Sequence, residues 1–311
     1  MLRRLCFALL SLILLPFAMA QTPVALPNTM TTIAGTSPMA GVAGTQCPGL
    51  PTGVTSTDAY GDGCLATNGV FGAAARAGVV VDSYGNIFVG DDVAKVLHMI
   101  NPTTGIMTKV AGLGTSCGTA NGAYTSAGDG CVAATNTIVN GQRGIGIDPW
   151  GNVLEAGYGD GLLHIICRTV SPLCTATQIG TMQMLAGCVA TVGGGSQGSS
   201  NTLIGISNAP GKVVGSSCAS GAGVTAGPRG VAVDIYGNIF FADTSSSRFR
   251  VIVGPQTSSF FSGTNPLYAA LGVFYPSVTM GYAYTVANTQ DLAACGNTYS
   301  SACGGQAAAP S

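Results

Sequence analysis

Short apolar runs separated by glycine-rich polar stretches dominate the chain, and no window has the period of an amphipathic helix. Three segments align without gaps: GVVVDSYGNIFVGD from Gly78, GIGIDPWGNVLEAG from Gly144 and GVAVDIYGNIFFAD from Gly230. Each contains an apolar stretch, a polar turn and a second apolar stretch. The pattern predicts three β-hairpins built from one repeated unit.

The repeated turn has the form D-x-[YW]-G-N, which suits a tight connection between two strands. An aspartate there can accept backbone N–H bonds, and glycine adopts a positive φ without strain. These residues are therefore predicted to be structural. They are Asp82, Gly85 and Asn86, then Asp148, Gly151 and Asn152, then Asp234, Gly237 and Asn238.

Further apolar segments follow each hairpin and extend the unit to four strands. A third strand is predicted at 96–100, 162–166 and 248–252, and a fourth at 107–112 and 182–187. Four short strands that are apolar on both faces are typical of the stacked blades of a β-propeller. A β-sandwich is the structural alternative, but its strands would alternate apolar and polar residues, and these do not.

The repeated pattern G-[IV]-[AG]-[VI]-D-x-x-G-N-[IV] resembles the NHL repeats of secreted bacterial propellers, most closely in RGVAVDIYGNIFFADTSSSRFRVI from Arg229. The resemblance covers three cores of the chain and implies an all-β propeller fold without implying a particular activity. Related propellers include zinc lyases that use histidines and calcium-dependent lactonases.

The repeats also set the expected domain limits. Blade cores are expected at about 76–112, 143–187 and 229–254, with a partial or degenerate further blade at 255–311. Three to four blades suggest an incomplete ring, because propellers usually have four to eight. The alternative is a complete small propeller closed by the N-terminal strand at 29–35.

The first twenty residues resemble a secretory signal peptide: Arg3 and Arg4 precede an apolar run that ends in Ala18-Met19-Ala20. The protein is therefore expected to be secreted, in the periplasm or outside the cell. Without the signal, nine Lys+Arg remain against 12 Asp+Glu, a net charge of about −3. Since no basic cluster occurs, neither nucleic acid nor a membrane surface is expected as a partner.

Ten cysteines remain after signal cleavage, and an even number in an exported protein predicts disulfides. Metal binding or redox chemistry is the alternative, but no C-x-x-C motif occurs. Their spacing predicts five local pairs in the segments between and beside the blades. These pairs are Cys47 with Cys64, Cys117 with Cys131, Cys167 with Cys174, Cys188 with Cys218, and Cys295 with Cys303.

Few residues are candidates for binding or catalysis. His98, His164 and Arg250 occupy one equivalent third-strand position, and a role at a strand edge or blade interface is favoured over metal ligation, since zinc needs three or four ligands. Glu155 interrupts an apolar strand, either facing the channel as a ligand group or marking an exposed edge. No catalytic residue, metal site or cofactor is predicted.

Two functions remain after this reading. The favoured hypothesis is a non-enzymatic binding or scaffolding module that presents its long disulfide-tied loops to an extracellular protein or glycan. The alternative is a metal-dependent lyase or lactonase of the kind that the family resemblance includes.

Overall fold

Two four-stranded sheets and one five-stranded sheet, all antiparallel, follow one another along the chain, and they confirm the predicted all-β propeller blades. The computed structural model describes residues 32–35, 43–72, 78–114, 130–137, 139, 142–158, 162–186, 211–212, 228–244, 248–257, 263–273 and 277–288. All three sheets belong to the compact unit Ile33–Ser311. The predicted signal peptide at 1–20 lies outside the described residues.

Blades 1 and 2 are simple meanders in which each strand pairs with the next. Blade 1 consists of β1 (Val79–Val81), β2 (Ile87–Asp91), β3 (Val96–Ile100) and β4 (Met107–Gly112). Blade 2 consists of β5 (Gln142–Ile147), β6 (Val153–Gly157), β7 (Leu162–Ile166) and β8 (Met182–Ala186). A short helix, α1 (Ala133–Asn136), precedes blade 2.

Blade 3 has the same meander with one addition, because a two-residue strand pairs with its outermost strand. In chain order its strands are β9 (Gly211–Lys212), β10 (Pro228–Val233), β11 (Ile239–Asp243), β12 (Arg248–Ile252) and β13 (Tyr282–Asn288).

The strand at Tyr282–Asn288 corrects the expected boundary after residue 254. It is the fourth strand of blade 3, paired with β12, and not part of a further blade at 255–311. The connection from β12 to β13 contains α2 (Pro266–Gly272), whereas blade 1 joins its last two strands through six residues. This insertion separates the strand from its sheet in the sequence. The residues after 288 lie outside the described part of the chain.

Each hairpin turn is held by the same three hydrogen bonds. Asp82 accepts the backbone N–H groups of Tyr84 at 2.9 Å and Asn86 at 2.8 Å, and its other oxygen accepts the Asn86 side-chain amide at 2.8 Å. Gly85 has a φ of 82°, which favours glycine. The same bonds recur at Asp148–Trp150–Asn152 and Asp234–Tyr236–Asn238.

Two of these aspartates differ in their pKa because their surroundings differ. Burial raises the pKa of Asp148 above the usual carboxyl value despite the hydrogen bonds of the turn. At Asp82 burial acts in the same direction, but the Asn86 and Tyr84 hydrogen bonds and the charge of Arg168 outweigh it and lower the pKa. The Arg168 guanidinium lies 3.6 Å from the Asp82 carboxylate.

The blades stack face to face through two apolar clusters, which form most of the core. Between blades 1 and 2, Phe88 and Leu97 pack with Ile145, Val153 and other buried residues. The seam between blades 2 and 3 joins Leu154, Leu163 and Ile165 to Ile239, Phe241 and their neighbours. Sheets that are apolar on both faces require this arrangement, since each face must be buried against another sheet.

The first strands of blades 2 and 3 approach so closely that a side chain would not fit between them. A Cβ atom at Gly144 of β5 would lie 2.3 Å from the carbonyl oxygen of Arg229 in β10. On β1 the situation differs: Val79 is 60% exposed, whereas the equivalent Ile145 of β5 is 5% exposed.

A segment before each of the first two blades adds hydrogen bonds to that blade's outermost strand. Gly63 donates to Met107 at 2.8 Å and Met107 donates to Cys64 at 2.8 Å. In blade 2, Gly130 donates to Met182 at 2.7 Å and Met182 donates to Cys131 at 3.1 Å. The GDGC stretch at 61–64 and the residues Gly130 and Cys131 are therefore edge partners of β4 and β8, a role that the sequence analysis did not assign.

Two of the predicted disulfides, Cys47–Cys64 and Cys167–Cys174, are confirmed. Cys131 is also disulfide-bonded. Because such bonds persist in oxidising environments, they indicate a compartment other than the cytoplasm. The remaining predicted partners, Cys117, Cys188, Cys218, Cys295 and Cys303, lie outside the described part of the chain.

The close approach at Gly144 gives a stability test with an internal control. We expect Gly144→Ala to lower the free energy of unfolding by about 1–3 kcal/mol, because the new methyl group must displace the backbone of β10. Gly230 occupies the same repeat position in blade 3, and a Cβ there meets nothing within 4 Å. Urea unfolding of both variants checks this, and an equal loss for Gly230→Ala would contradict the packing described.

Candidate functional site

The predicted third-strand residues occupy one equivalent position on the three blades. His98, His164 and Arg250 pair across their sheets with Val89, Glu155 and Phe241, respectively. All three side chains are at most 1% exposed. The structure does not gather them into one site.

Alternation along the strands places each of these side chains on the face toward the preceding part of the chain. His164 shares its face with Ile166, which packs against blade 1. Arg250 shares its face with Ile252, which packs against blade 2. His98 shares its face with Ile100, which packs against the segment before blade 1.

Glu155 and His164 form a buried hydrogen-bonded pair inside blade 2. The Glu155 Oε2 atom lies 2.8 Å from the His164 Nδ1 atom, and both side chains are fully buried. Carboxylate and imidazole can exchange a proton, but a substrate needs access to the reacting atoms. In this location the pair supports the blade and has no contact with solvent.

Glu155 does not lie at an exposed edge. Its side chain is fully buried, on the same sheet face as Val153, within the seam between blades 1 and 2. The acid is tolerated in an apolar strand because its cross-strand neighbour is His164.

His98 is buried under two aromatic rings of the preceding segment. Its ring centroid lies 5.6 Å from that of Phe71 and 6.5 Å from that of Tyr60. Among the described residues, neither ring nitrogen has a hydrogen-bond partner. Burial lowers the pKa of His98, and the charges of Asp58, Asp91 and Asp62 oppose this only in part, while Lys109 adds to it. The imidazole is therefore neutral near pH 7.

Polar groups that are exposed or partly exposed and that meet across blades lie elsewhere, where the first strands begin and the second strands end. Asp92 directly follows β2, and Tyr158 directly follows β6. Arg143 is the second residue of β5, and Arg229 is the second residue of β10. We call these four residues the rim cluster.

Ion pairing and ring stacking connect the rim cluster across all three blades. Arg143 Nη1 lies 2.9 Å from Asp92 Oδ2, joining blade 2 to blade 1. The Arg229 guanidinium carbon lies 4.4 Å from the Tyr158 ring centroid, joining blade 3 to blade 2. Arg143 is also near that ring, at 5.9 Å. Two guanidinium groups therefore flank one phenol ring.

Sequence reasoning missed the rim cluster, although half of its signal is visible. An arginine directly precedes the repeat glycine in both RGIGID and RGVAVD. The partner position, ten residues after the turn aspartate, holds Asp92, Tyr158 and Thr244 in the three blades, so it shows no pattern. Only the stacking of one blade on the next brings the two positions together.

The opposite ends of blades 1 and 2 are joined by another arginine, which has a structural setting. Arg168 follows β7 and lies with its guanidinium carbon 4.7 Å from the Phe88 ring centroid. It also donates to the carbonyl oxygen of Gly151 at 3.1 Å. The Arg168 side chain is half-buried, and Asp82 neutralises its charge in part.

Within the described ranges, no group of three or more His, Cys, Asp or Glu residues has an arrangement that could hold a metal ion. The same ranges contain no helix that is both long and apolar enough to cross a membrane.

Comparison with known proteins gave structural likeness at low scores. No protein-family model matches the chain, and no curated protein matches it. A virginiamycin B lyase from Staphylococcus aureus aligns with 56% of this chain and 36% of its own at 11% identity and a TM-score of 0.29. A putative gluconolactonase aligns with 56% of this chain and 43% of its own, at 12% identity and a TM-score of 0.27. This chain thus spans less than half the length of either.

The buried pair predicts a non-additive effect on stability. We expect Glu155→Val alone to cost about 3–5 kcal/mol of unfolding free energy, because it removes the carboxylate beside a fully buried imidazole. The double variant Glu155→Val/His164→Leu should recover at least half of that loss, since both polar groups are then replaced by apolar ones. Urea unfolding of the singles and the double measures this, and additive losses would contradict the pairing.

The lowered pKa of His98 predicts a stability loss in acid. The unfolded histidine takes up a proton as the pH falls through about 6.5, whereas the buried one does not. The unfolded state therefore binds more protons, and stability should fall below pH 6.5 by at most about 1.4 kcal/mol per pH unit from this residue.

Thermal or urea unfolding at pH 5.0 and 7.5 tests this pH dependence. The variant His98→Leu removes the titrating group, so its stability difference between the two pH values should be smaller than that of the wild type. An unchanged difference would show that His98 is not buried in its neutral form.

Proposed function

We propose that this protein is an exported NHL-type β-propeller that serves as a binding or scaffolding module for an extracellular protein or glycan. The rim cluster is the observation that carries this proposal. It collects two guanidinium groups, a carboxylate and a phenol from three blades, with Tyr158 and Arg229 exposed. Such groups recognise polar and charged ligands through directed hydrogen bonds and ion pairs.

The setting of the other candidate residues supports binding over catalysis. Glu155, His164 and Arg250 are buried in the faces between sheets, and His98 lies under Phe71 and Tyr60. Conserving the blades and varying the residues at their ends is a common way for a rigid scaffold to acquire ligands. The disulfide-tied segments beside the blades are consistent with work outside the cytoplasm.

A binding screen tests the proposal directly. The full-length mature protein would be applied to arrays of oligosaccharides and of extracellular proteins, together with the rim variant Arg143→Ala/Arg229→Ala. We expect at least one ligand with a dissociation constant below about 1 mM, weakened at least tenfold in the rim variant. The matched control Glu155→Val/His164→Leu alters a buried seam and should bind like the wild type.

Three outcomes would overturn the proposal. One is the absence of any ligand above background on both arrays. Another is binding that the rim variant leaves unchanged. The third is release of a product from a bound ligand, since turnover would support the lyase or lactonase alternative in place of a binding module.

A further inference from the structure

We propose, building on the binding function above, that the rim cluster recognises the carboxylate of an acidic sugar, so that the ligand is a uronate-bearing glycan held through Arg229 beside Tyr158. Three features of the cluster point to this ligand: which of its four groups already have a partner, the sign of the local charge, and the mixture of donors and acceptors.

Arg143 and Arg229 differ in how their charges are balanced. Arg143 forms a close ion pair with Asp92, at 2.9 Å. Arg229 lies over the Tyr158 ring, and no carboxylate of the described residues is within ion-pairing distance of it. Its side chain is exposed. The cluster therefore presents one cation, Arg229, to solvent. No carboxylate of the described residues neutralises its charge.

Stacking on Tyr158 prepares Arg229 for an oxyanion. A guanidinium group stacked on an aromatic ring directs its N–H groups outward, parallel to the plane of the ring. These groups therefore remain available to a ligand. The planar fork matches a carboxylate through two parallel hydrogen bonds. Part of the conformational entropy of this long side chain is already lost before the ligand binds, which lowers the cost of recognition.

The remaining groups of the cluster favour a sugar over an acidic peptide. Two arginines and one aspartate leave a net charge of about +1, which suits a ligand that places one carboxylate at the cluster. Asp92 accepts hydrogen bonds from hydroxyl groups, and the Tyr158 hydroxyl can donate or accept. Sugar hydroxyls supply such partners, whereas an ionised glutamate side chain has no hydrogen to donate to Asp92.

The alternative is a purely structural role, in which these contacts only stabilise the packing of one blade on the next. Arg168 provides the comparison, because it also stacks on a ring of the neighbouring blade, Phe88, at 4.7 Å. Asp82 neutralises its charge in part, and Arg168 lies at the ends of the strands that are opposite to the rim cluster. A purely structural role predicts the same consequences for both arginines, whereas ligand recognition predicts a difference.

Isothermal titration with the full-length mature protein tests the inference. The probes are oligogalacturonate, the same oligosaccharide as its methyl ester, dextran sulfate and poly-glutamate. We expect oligogalacturonate to bind and its methyl ester to bind at least tenfold more weakly. Esterification removes the negative charge and converts one carboxylate oxygen into a weakly accepting ester oxygen, while the sugar hydroxyls stay the same. Dextran sulfate and poly-glutamate should also bind more weakly than oligogalacturonate.

Variants then assign the binding to the rim cluster. Arg229→Ala should weaken oligogalacturonate binding at least tenfold, and Arg229→Lys, which keeps the charge but loses the fork, at least threefold. The control Arg168→Ala should change it less than twofold. Thermal unfolding of each variant shows whether it is folded, and Arg229→Lys keeps the test valid where Arg229→Ala is not.

Several results would overturn the inference. These are equal binding of the methyl ester, preference for dextran sulfate or poly-glutamate, and equal losses for Arg168→Ala and Arg229→Ala. A neutral or protein ligand lost in the rim variant of the array screen would leave the binding function standing while removing the acidic sugar. Failure of every array ligand would remove both.

Discussion

Close contact between the apolar faces of neighbouring sheets is the interaction on which this structure depends. Each blade is apolar on both sides, so no blade can bury its residues without another sheet against it. At the first strands the approach is limited by backbone itself, since Gly144 faces the carbonyl oxygen of Arg229. Glycine at this repeat position allows β5 and β10 to meet, and leucine, isoleucine and phenylalanine side chains fill much of the remaining seam.

The same stacking decides what the polar residues can do. Polar side chains in the middle of a strand are drawn into the seam, where Glu155 and His164 form a hydrogen bond with each other and lose contact with water. Polar side chains at strand ends meet the next blade but stay at the surface, as Arg143 does with Asp92. Position along the strand, more than residue type, therefore separates structural polar groups from those that a ligand can reach.

The hairpins could be predicted from the sequence because their determinants are local. Asp82 bonds to residues two and four positions later, and Gly85 supplies the positive φ within the same turn. The disulfide between Cys167 and Cys174 closes a separation of seven residues, and it could be predicted from the sequence for the same reason. The fourth strand of blade 3 was misplaced because a helix-containing insertion separates it from β12.

What the sequence could not show are contacts whose partners lie in different blades or far along the chain. The GDGC stretch binds β4 over a separation of more than 40 residues, and Arg229 meets Tyr158 over 71 residues. Glu155 was visible as an anomaly, but its meaning depended on a histidine across the strand pair. A rule for such pairs would need the blade register, which follows only from the folded sheets.

The central claim is that stacking of successive blades builds the rim cluster from residues of different sheets. A double-mutant cycle on unfolding free energy, with Arg229→Ala, Tyr158→Ala and both together, measures this contact most directly. If blade 3 stacks on blade 2 as described, the two residues should show a coupling of about 0.5–1 kcal/mol, as expected for an exposed cation on an aromatic ring. Strictly additive losses would contradict the contact and, with it, the assembly of the site.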